Sequence, residues 1–427
     1  MLSKKTRSGL LHVLVLTGGL LSITPEANAL AIYAITGSNE LYIFDHTAPG
    51  VSLYSSIPDQ GFIPIVGLQP GEALVGIDFR PSTGELYGIG NTSRLYKINV
   101  QLVTPPATAL AIAVSSTPFP VLLSGTRFGV DFNPVVDRVR VVSNAEQNLR
   151  INPFTGTLAA NDAAINPAGN LVEVAYDRSF AGTTSTTLFA LDSTSNQLMR
   201  IGSVNQSPIS PNTGTTTAIG PLGVDFISQA ALDFAGPTLF AILRVGTATH
   251  LYTVNTATGA ATVSGATVLD NPLIIGMAVA PQLAAISKKS IKLNFAKTDS
   301  DSISVTGALQ LPTGFLFTAA NQTAVLNIGG ITRTFLLDEK GKAKIGFDSL
   351  AVTVKEKNGV RTATFKASLK KGNFAASLVD EGLVNADLSD VPVQVEVSLY
   401  VTNTYFHGSE SLPWTYDGKA GKSGKAK

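Results

Sequence analysis

The stretch Gly76-Ile77-Asp78-Phe79-Arg80-Pro81-Ser82-Thr83-Gly84-Glu85-Leu86-Tyr87 decides the fold, because the chain repeats it. Its opening returns, more or less altered, as Gly129-Val130-Asp131-Phe132-Asn133-Pro134, Val174-Ala175-Tyr176-Asp177, Gly223-Val224-Asp225-Phe226 and Gly276-Met277-Ala278-Val279-Ala280-Pro281. Counted from Gly76, Gly129, Ala175, Gly223 and Gly276, the copies are 53, 46, 48 and 53 residues apart. A period near fifty, with several short alternating apolar runs per repeat, is typical of β-propeller blades.

The two ends of the repeated region complete each other. The last copy stops at Pro281 without its second half, and Ala31-Ile32-Tyr33-Ala34-Ile35-Thr36 with Glu40-Leu41-Tyr42-Ile43-Phe44-Asp45 matches that missing half. If both ends share one blade, no unpaired strand edge is left to invite aggregation. We therefore predict a closed five-bladed propeller in which Ile32–Ile35 pairs with Met277–Val279. An open β-solenoid or two packed sandwiches are the alternatives.

Residues 1–29 have the composition of a secretory signal. Lys4, Lys5 and Arg7 precede an apolar run from Leu10 to Ile23, and Ala27-Asn28-Ala29 offers small residues for cleavage. The apolar run is shorter than the ~20 residues of a membrane span, and no later stretch qualifies. We predict a secreted, cell-surface or periplasmic protein cleaved near Ala29, without a membrane span. The chain has no cysteine, which excludes disulfides, thiol catalysis and thiolate metal sites.

A change of composition divides the rest of the chain. Residues 30–286 carry ten basic and sixteen acidic residues with one lysine, Lys97, whereas residues 287–427 carry eighteen basic residues, sixteen of them lysine, and thirteen acidic ones. Such a switch favours two modules. We predict a propeller over 30–286 and a lysine-rich, immunoglobulin-like β-sandwich over 287–427, because runs such as Ser290–Phe295 and Val393–Leu399 alternate with period two. The near-neutral total charge gives no indication of nucleic-acid binding.

The repeated Gly-x-Asp-Phe-x-Pro and Thr-Gly-x-Leu-Tyr, together with Phe132–Ser143 and Gln147–Gly156, resemble one secreted bacterial family, catalogued as domain of unknown function 4394. The resemblance covers about 31–281 and does not extend to the lysine-rich module. It implies a secreted bacterial protein, and it transfers no catalytic residue.

Four repeated aspartates, Asp78, Asp131, Asp177 and Asp225, are the first candidate site. If each lies on the innermost strand of its blade, the carboxylates ring the central channel, where oxygen ligands suit a hard cation such as calcium. They could equally supply the two acids of a sugar hydrolase. The interpretation that we favour is structural: each aspartate accepts hydrogen bonds from the turn that follows it, since a residue repeated in every blade serves a need of every blade.

Arg138, Arg140 and Arg150 form the second candidate site. With Asp137 and Gln147-Asn148 they could form a polar rim that recognises a carboxylate or a sugar. The favoured alternative is that Arg138 and Arg140 point outward and pair with acids across the strands.

The sequence shows no zinc-binding histidine spacing, no nucleophile elbow and no phosphate-binding loop. It therefore favours a secreted, monomeric, non-catalytic module without a cofactor, calcium being the one alternative, whose propeller face recognises an unknown ligand or a cell-surface protein. A glycan-acting hydrolase that uses channel carboxylates is the alternative function.

Overall fold

A computed structural model describes residues 30–54, 61–102, 107–268, 271–312, 315–358, 360–408 and 414–427. The predicted signal segment 1–29 lies outside these residues. Apart from three short 3₁₀ turns, Val204–Gln206, Pro211–Thr213 and Ala375–Leu378, the regular structure is β-strand. The described protein is therefore all-β, as the alternating apolar runs predict.

The N-terminal lobe, residues 30–281, consists of four-stranded antiparallel units. Unit 1 contains β20 (Ile274–Val279), β1 (Ala31–Thr36), β2 (Glu40–Asp45) and β3 (Phe62–Val66). Unit 2 contains β4 (Leu74–Phe79), β5 (Leu86–Gly90), β6 (Arg94–Gln101) and β7 (Thr108–Ala113). Unit 3 contains β8 (Phe128–Asn133), β9 (Arg138–Ser143), β10 (Asn148–Asn152) and β11 (Thr157–Asn161). Unit 4 contains β12 (Leu171–Tyr176), β13 (Leu188–Asp192), β14 (Gln197–Ile201) and β15 (Thr216–Pro221). Unit 5 contains β16 (Ala230–Ala235), β17 (Thr238–Val245), β18 (Ala248–Val254) and β19 (Ala261–Thr267). The outer strands β3 and β7 pair in parallel and join units 1 and 2 at their rims.

One strand of each unit lies innermost: β20 in unit 1, and the strand that comes first in the chain in units 2 to 5. These five strands contact one another in a ring, in the order β4, β8, β12, β16, β20 and back to β4. Successive units bury apolar residues against each other: Tyr87 of unit 2 packs in one cluster with Phe132 of unit 3, and Ile32 of unit 1 with Phe240 of unit 5. The ring encloses a central channel whose wall is the innermost strands.

The predicted pairing of the two ends is confirmed. In the antiparallel β1–β20 ladder, Ile32 lies opposite Val279, Ala34 opposite Met277 and Ile35 opposite Gly276. The other edge of β1 pairs with β2. The N-terminal strand thus occupies the edge that the last repeat would otherwise expose.

Two predicted copies are misplaced. The copy started at Ala175 is shifted by two residues, because Ala175 stands where Asp131 does and Asp177 follows the strand. The innermost strand of unit 5 is β16, and Gly223-Val224-Asp225-Phe226 lies in the connection before it. Glycines on the innermost strands are needed because the strands approach closely; at Gly129 a Cβ would overlap the backbone of Glu173 and Val174. Gly223 instead has φ +77° and open space around it, as a turn glycine does. Gly129 is therefore required by close packing of strands and Gly223 by the conformation of a turn, although both occur in the same sequence motif.

The C-terminal lobe, residues 282–427, begins with β21, which spans the predicted module junction at 286–287. Its strands are β21 (Gln282–Asn294), β22 (Asp301–Leu309), β23 (Thr323–Ile328), β24 (Ile331–Leu336), β25 (Lys342–Ile345), β26 (Asp348–Lys357), β27 (Val360–Gly372), β28 (Leu388–Val393), β29 (Val397–Val401), β30 (Thr404–Gly408), β31 (Trp414–Lys419) and β32 (Ser423–Ala426). They follow the order β24-β23-β29-β30-β21-β22-β27-β26-β25, and β32 pairs with β21 and β31. Residues of β22 and β27, such as Val305 and Phe365, share one core with Leu326 of β23 and Leu399 of β29.

The C-terminal lobe lies on the loops that follow the innermost strands of the N-terminal lobe. The Tyr405 hydroxyl donates to the carbonyl oxygen of Pro81, after β4. The Tyr400 ring stacks on Phe180, after β12, with 3.8 Å between ring centroids. Gly236, after β16, lies against the backbone of Asn403. The second lobe therefore covers one end of the channel.

Replacing Gly236 by alanine is expected to loosen this junction. Gly236 has φ +56°, and a Cβ there would overlap the carbonyl oxygen of Asn403, so the variant combines backbone strain with a clash that only a shift of the lobes relieves. We expect a loss of more than about 2 kcal/mol of stability, measured by thermal and chemical unfolding. Gly246→Ala is the matched control, since Gly246 has φ +59° and nothing near its Cβ position. Equal losses in both variants would contradict the contact.

Candidate functional site

Three of the five innermost strands carry an aspartate at the same place. Asp78 of β4, Asp131 of β8 and Asp233 of β16 are buried, and carboxylate oxygens of all three lie within 4.8 Å of one another. In units 4 and 1 the matching positions are Ala175 and Ala278. The hydrogen bonds identify them: the residues that follow, Tyr176 and Val279, donate N–H groups to Asp131 and Asp233. The carboxylates of units 2, 3 and 5 thus converge inside the channel.

Each carboxylate bonds to the next unit around the ring. Asp78 Oδ2 accepts from the N–H of Phe132 at 2.7 Å, Asp131 Oδ1 from Tyr176 at 3.0 Å, and Asp233 Oδ2 from Val279 at 2.6 Å. The favoured expectation that repeated aspartates bond to their own following turn is therefore wrong for Asp78 and Asp131. Their side-chain oxygens join neighbouring innermost strands by hydrogen bonds to the backbone.

The channel environment opposes ionisation of these acids. Burial, and then the neighbouring carboxylates, raises the pKa of Asp78 and of Asp131 well above the ordinary value. Burial raises the pKa of Asp233 to about 7, although the N–H groups of Val279 and Phe234 oppose the shift. Glu173 of β12 is also buried in the channel, and burial raises its pKa in the same direction. At neutral pH the cluster holds protons or needs a cation.

Stability is expected to fall as the pH rises through the pKa of this cluster. A carboxyl whose pKa is about 7 when folded and 3.8 as a model compound keeps a proton that the unfolded chain releases. This stabilisation is fully present below the pKa that the carboxyl has in the unfolded chain, and it is lost as the pH rises from about 4 to 7 and beyond. Asp131→Asn keeps the acceptor for Tyr176 without the charge, and we expect it to be about 1–3 kcal/mol more stable than the natural chain at pH 8.

Unfolding temperatures between pH 4 and pH 8 measure this effect. Asp192→Asn is the control, since Asp192 is a buried aspartate that accepts from the turn amides of Thr194 and Ser195, outside the cluster. An Asp131→Asn variant whose pH profile runs parallel to that of the natural chain would contradict the assignment of the pH dependence to the channel acids.

A cavity of about 360 Å³ lies where the C-terminal lobe covers the channel. The N-terminal lobe contributes Asp78, Asp233 and Arg80 to its lining, and the C-terminal lobe contributes Phe315, Thr402 and Tyr405. Asp131 is not part of the lining. The Thr402 hydroxyl oxygen is buried and has no hydrogen-bond partner in the described part of the chain. The cavity therefore combines carboxylates on one side with apolar groups and an unused hydroxyl on the other.

The opposite end of the channel has a smaller depression of about 160 Å³. It is lined by the first residues of the innermost strands, among them Leu74 and Phe128, and by Glu173 and Arg127. The two ends of the channel thus differ in size and in what surrounds them.

Asp177 and Asp225 do not lie in the channel, so the prediction of a ring of Asp78, Asp131, Asp177 and Asp225 is wrong for those two. Asp177 follows β12, where its carboxylate accepts from the N–H and hydroxyl groups of Thr187 and Thr186. Asp225 is exposed and accepts from the Asn196 side chain. Asp233 was missed because Ala231-Leu232-Asp233-Phe234 lacks the glycine of the repeat. The alternation of apolar residues around Asp233 was the sequence signal that could have identified this stretch as a strand.

The three arginines are held by the protein itself. Arg140 is 1% exposed and donates to Tyr176, Asn148, Asp162 and Asn212. Arg150 pairs with Asp162 at 2.7 and 2.8 Å. Arg138 donates to the carbonyls of its own turn, Val136 and Asp137, and Asp137 pairs with Arg80. The outward direction predicted for Arg140 is wrong, since the loop of unit 4 that contains Asn212 covers it.

Asp78, Asp131 and Asp233 are the one group of three metal-ligating side chains that the described residues bring within common reach of an ion. Oxygen atoms at these separations suit a hard divalent cation, and two of the three also face a cavity with room for an organic cation. Among the described residues, no helix has the length and apolar character that crossing a bilayer requires.

Comparisons with known proteins give one family and several distant structural likenesses. A family model described as a domain of unknown function, DUF4394, matches residues 51–278. No curated protein sequence matches the chain. Similar solved structures include the nidogen/laminin complex (10% identity, 59% of this chain and 98% of that chain covered, TM-score 0.34). YCF48 bound to D1 peptide (10%, 56% and 81%, TM-score 0.29) and the Cps50 (Swd1) β-propeller domain of Myceliophteria thermophila (10%, 56% and 71%, TM-score 0.28) are others. The likenesses are too distant to carry an argument about function.

Proposed function

Because the chain belongs to the DUF4394 family, whose description assigns no activity, we propose from the site alone that it is a non-catalytic binding module. In this proposal the N-terminal lobe is a closed five-bladed β-propeller and the C-terminal lobe an immunoglobulin-like β-sandwich. The ring of innermost strands and the ladder between β1 and β20 support the first assignment. The core shared by β22, β27, β23 and β29 supports the second.

The cavity between the lobes is the proposed binding site, and it is the observation that carries the proposal. Its volume of about 360 Å³ lies in the range of small-molecule sites. Such sites combine apolar walls with a few convergent polar groups. Here Phe315 supplies apolar surface, and Asp78, Asp233 and the buried Thr402 hydroxyl supply the polar groups.

The ligand that this lining favours is a small organic cation, such as an aliphatic amine. An ammonium group between Asp78 and Asp233 would supply the positive charge that the buried carboxylates lack, and its carbon chain would contact the apolar wall. Binding would release the proton that the raised pKa of Asp233 retains, so affinity is expected to increase as the pH rises to about 7 and to level off above it. A bare metal ion would leave most of the volume unused.

The alternative of a glycan-acting hydrolase has less support. A retaining pair needs carboxyl groups about 5–5.5 Å apart and an inverting pair about 6.5–9.5 Å, on either side of a bound sugar. Each of the three channel carboxyl groups instead accepts an N–H group from the neighbouring unit, and one oxygen of each lies within 4.8 Å of the others, which leaves no room for a sugar between them. They also lie beneath the second lobe rather than at the open end of the channel.

Titration calorimetry of the full mature chain at pH 8 with cadaverine, agmatine and calcium chloride tests the proposal. We expect one of the two amines to bind and Asp233→Asn to weaken that binding about tenfold or more, since hydrogen bonds to charged groups contribute ~1.5–3 kcal/mol. Asp131→Asn is the matched control, because Asp131 has the same burial and the same bond to the next unit but does not line the cavity.

The outcomes separate the hypotheses. Equal weakening by Asp131→Asn and Asp233→Asn would assign the effect to the ring rather than to the cavity. Binding of calcium without either amine would replace the organic cation by a metal ion. No binding of any probe would leave the aspartates with the structural role alone.

Secretion stays part of the proposal. The basic start, the apolar run and the small residues Ala27 and Ala29 support export, and N-terminal sequencing of the protein recovered from cells is the test. Export predicts a mature chain that begins near Leu30, and an intact residue 1–29 segment would contradict it.

A further inference from the structure

The outward face of the C-terminal lobe carries an array of lysines. Strands β25, β26, β27, β22, β21, β32 and β31 are successive neighbours in one sheet, and residues that lie opposite each other across antiparallel strands share a face. The register places nine exposed lysines on the side away from the core: Lys288, Lys292, Lys342, Lys344, Lys355, Lys357, Lys366, Lys370 and Lys425. We call this set the lysine face.

The lysine face is ordered in rows across the strands. One row runs Lys342, Ala351, Lys366, Thr306, Lys288 over five strands. Another runs Lys370, Ser302, Lys292, Lys425, Asp417. Serine, threonine and alanine stand between the lysines, so the charges are separated by small side chains. Asp417 is the acid at the end of the second row.

Few acids face the lysines: in the described residues Asp417 lies opposite Lys425 and Asp338 lies beside Lys342, against nine positive charges. In the part of the chain that the structure describes, none of the nine lysines forms an ion pair. Lys292 and Lys425 lie directly opposite each other, an arrangement of like charges that destabilises a sheet. Such a face is costly to the folded chain by itself and is favourable when an anionic surface lies against it.

From this array we propose that the lysine face docks the protein peripherally on an anionic lipid bilayer. From β25 to β32 the lysines span six strands about 4.8 Å apart, a width of about 24 Å, and lie at more than one position along most of these strands. A linear polyanion would cover only a strip of this area, whereas a bilayer presents charge in two dimensions. Lysine is a point charge that suits lipid phosphates without demanding one geometry.

Two further features favour the bilayer over other polyanions. The positions between the lysines in the rows carry no aromatic ring, so the face lacks the stacking surface by which nucleic-acid bases are usually held. At one end of the array the turn of the β25–β26 hairpin exposes Phe347, which is 56% exposed and whose ring centre lies 3.9 Å from the Lys371 ammonium. Apolar and aromatic side chains beside lysines are suited to the headgroup region of a bilayer.

The test is sedimentation of the full mature chain with phosphatidylcholine vesicles that do or do not contain phosphatidylglycerol. We expect binding only to the anionic vesicles and loss of that binding at high salt. The combined variant Lys288→Gln, Lys342→Gln, Lys366→Gln removes one row of charge. Since each lysine near the surface contributes about 1 kcal/mol, or roughly a factor of five, we expect the loss of three to weaken binding more than about 100-fold.

A variant with the same change of net charge is the matched control. Lys297→Gln, Lys340→Gln, Lys422→Gln alters three exposed lysines that lie in turns outside the rows, and it is expected to bind as the natural chain does. Unfolding temperatures of both variants show whether they fold. Equal binding by the two variants, binding to neutral vesicles, or binding to dextran sulfate without binding to anionic vesicles would each overturn the proposal.

Discussion

Arg140→Met is expected to destabilise the protein by about 3–5 kcal/mol, the usual cost of removing one partner from a buried ionic network. Arg140 is 1% exposed, and its guanidinium donates at 2.6 Å each to Asn148, Asp162 and Asn212 and at 3.2 Å to the Tyr176 hydroxyl. These partners belong to units 3 and 4 and to the loops around them. Methionine fills part of the volume but removes this donor from the side-chain oxygens of Asn148 and Asn212, while Asp162 keeps Arg150 as a donor.

Chemical unfolding measures this loss, and Arg138→Met is the control. Arg138 lies two residues earlier on the same strand and donates only to carbonyls of its own turn, at 3.4 and 2.8 Å. We expect its replacement to change stability by less than about 0.5 kcal/mol, as for most surface substitutions. Similar losses in the two variants would show that Arg140 does not join the units.

Ala34→Asp is expected to prevent folding of the N-terminal lobe, with a cost of more than about 4 kcal/mol. Ala34 is fully buried in β1, opposite Met277 on one side and Tyr42 on the other. An aspartate there would place a carboxyl without a partner in the apolar cluster that joins units 1 and 5. Because β1 closes the ring, the damage is expected to reach the whole lobe.

The soluble fraction and hydrogen exchange on unit 3 measure this effect, and Ser38→Asp serves as the control. Ser38 is exposed in the turn after β1, so the same charge there meets water. Under the closed arrangement Ala34→Asp raises exchange in unit 3, far from the substitution. Normal protection of unit 3 in a folded Ala34→Asp variant would indicate that the units fold independently.

The closure and part of the channel could be predicted from the sequence because both depend on local pattern. Ile32–Ile35 and Gly276–Val279 are complementary halves of one repeat, and a strand with a missing partner predicts where the partner lies. Asp78 and Asp131 follow glycines that the close packing of innermost strands requires. Because close packing of the innermost strands imposes the same requirement in both units, the two units share a recognisable sequence motif.

Asp233 and Glu173 could not be found by the same reasoning. Asp233 follows Ala231, which is small enough for the position but does not match the glycine of the repeat. Glu173 stands where other units have glycine or alanine, next to Gly129, whose missing side chain leaves it room. Gly223-Val224-Asp225-Phe226 matched the motif better and lies in a loop, because the sequence does not distinguish a turn glycine from a packing glycine.

Contacts between segments that are far apart in the chain could not be predicted from the sequence either. Arg140 is buried because a loop of unit 4 reaches it through Asn212, and no spacing in the sequence indicates that approach. The cavity depends on Phe315 and Tyr405 of the C-terminal lobe lying over Asp78 and Asp233. The outward lysines of single strands could be predicted from period-two alternation, but their alignment into rows needs the register of seven strands.

A disulfide between β1 and β20 tests the closed ring most directly, since the natural chain has no cysteine to compete. Ala34 and Met277 lie directly opposite each other, within the Cα separation that a disulfide spans. The combined variant Ala34→Cys, Met277→Cys is predicted to form one intramolecular disulfide on mild oxidation and to gain about 5 kcal/mol of stability from closing so long a loop. The pair Ala34→Cys, Ala190→Cys, which places the second cysteine in unit 4, is predicted to stay reduced. Free thiols in the first pair, or only intermolecular cross-links, would contradict the closed ring.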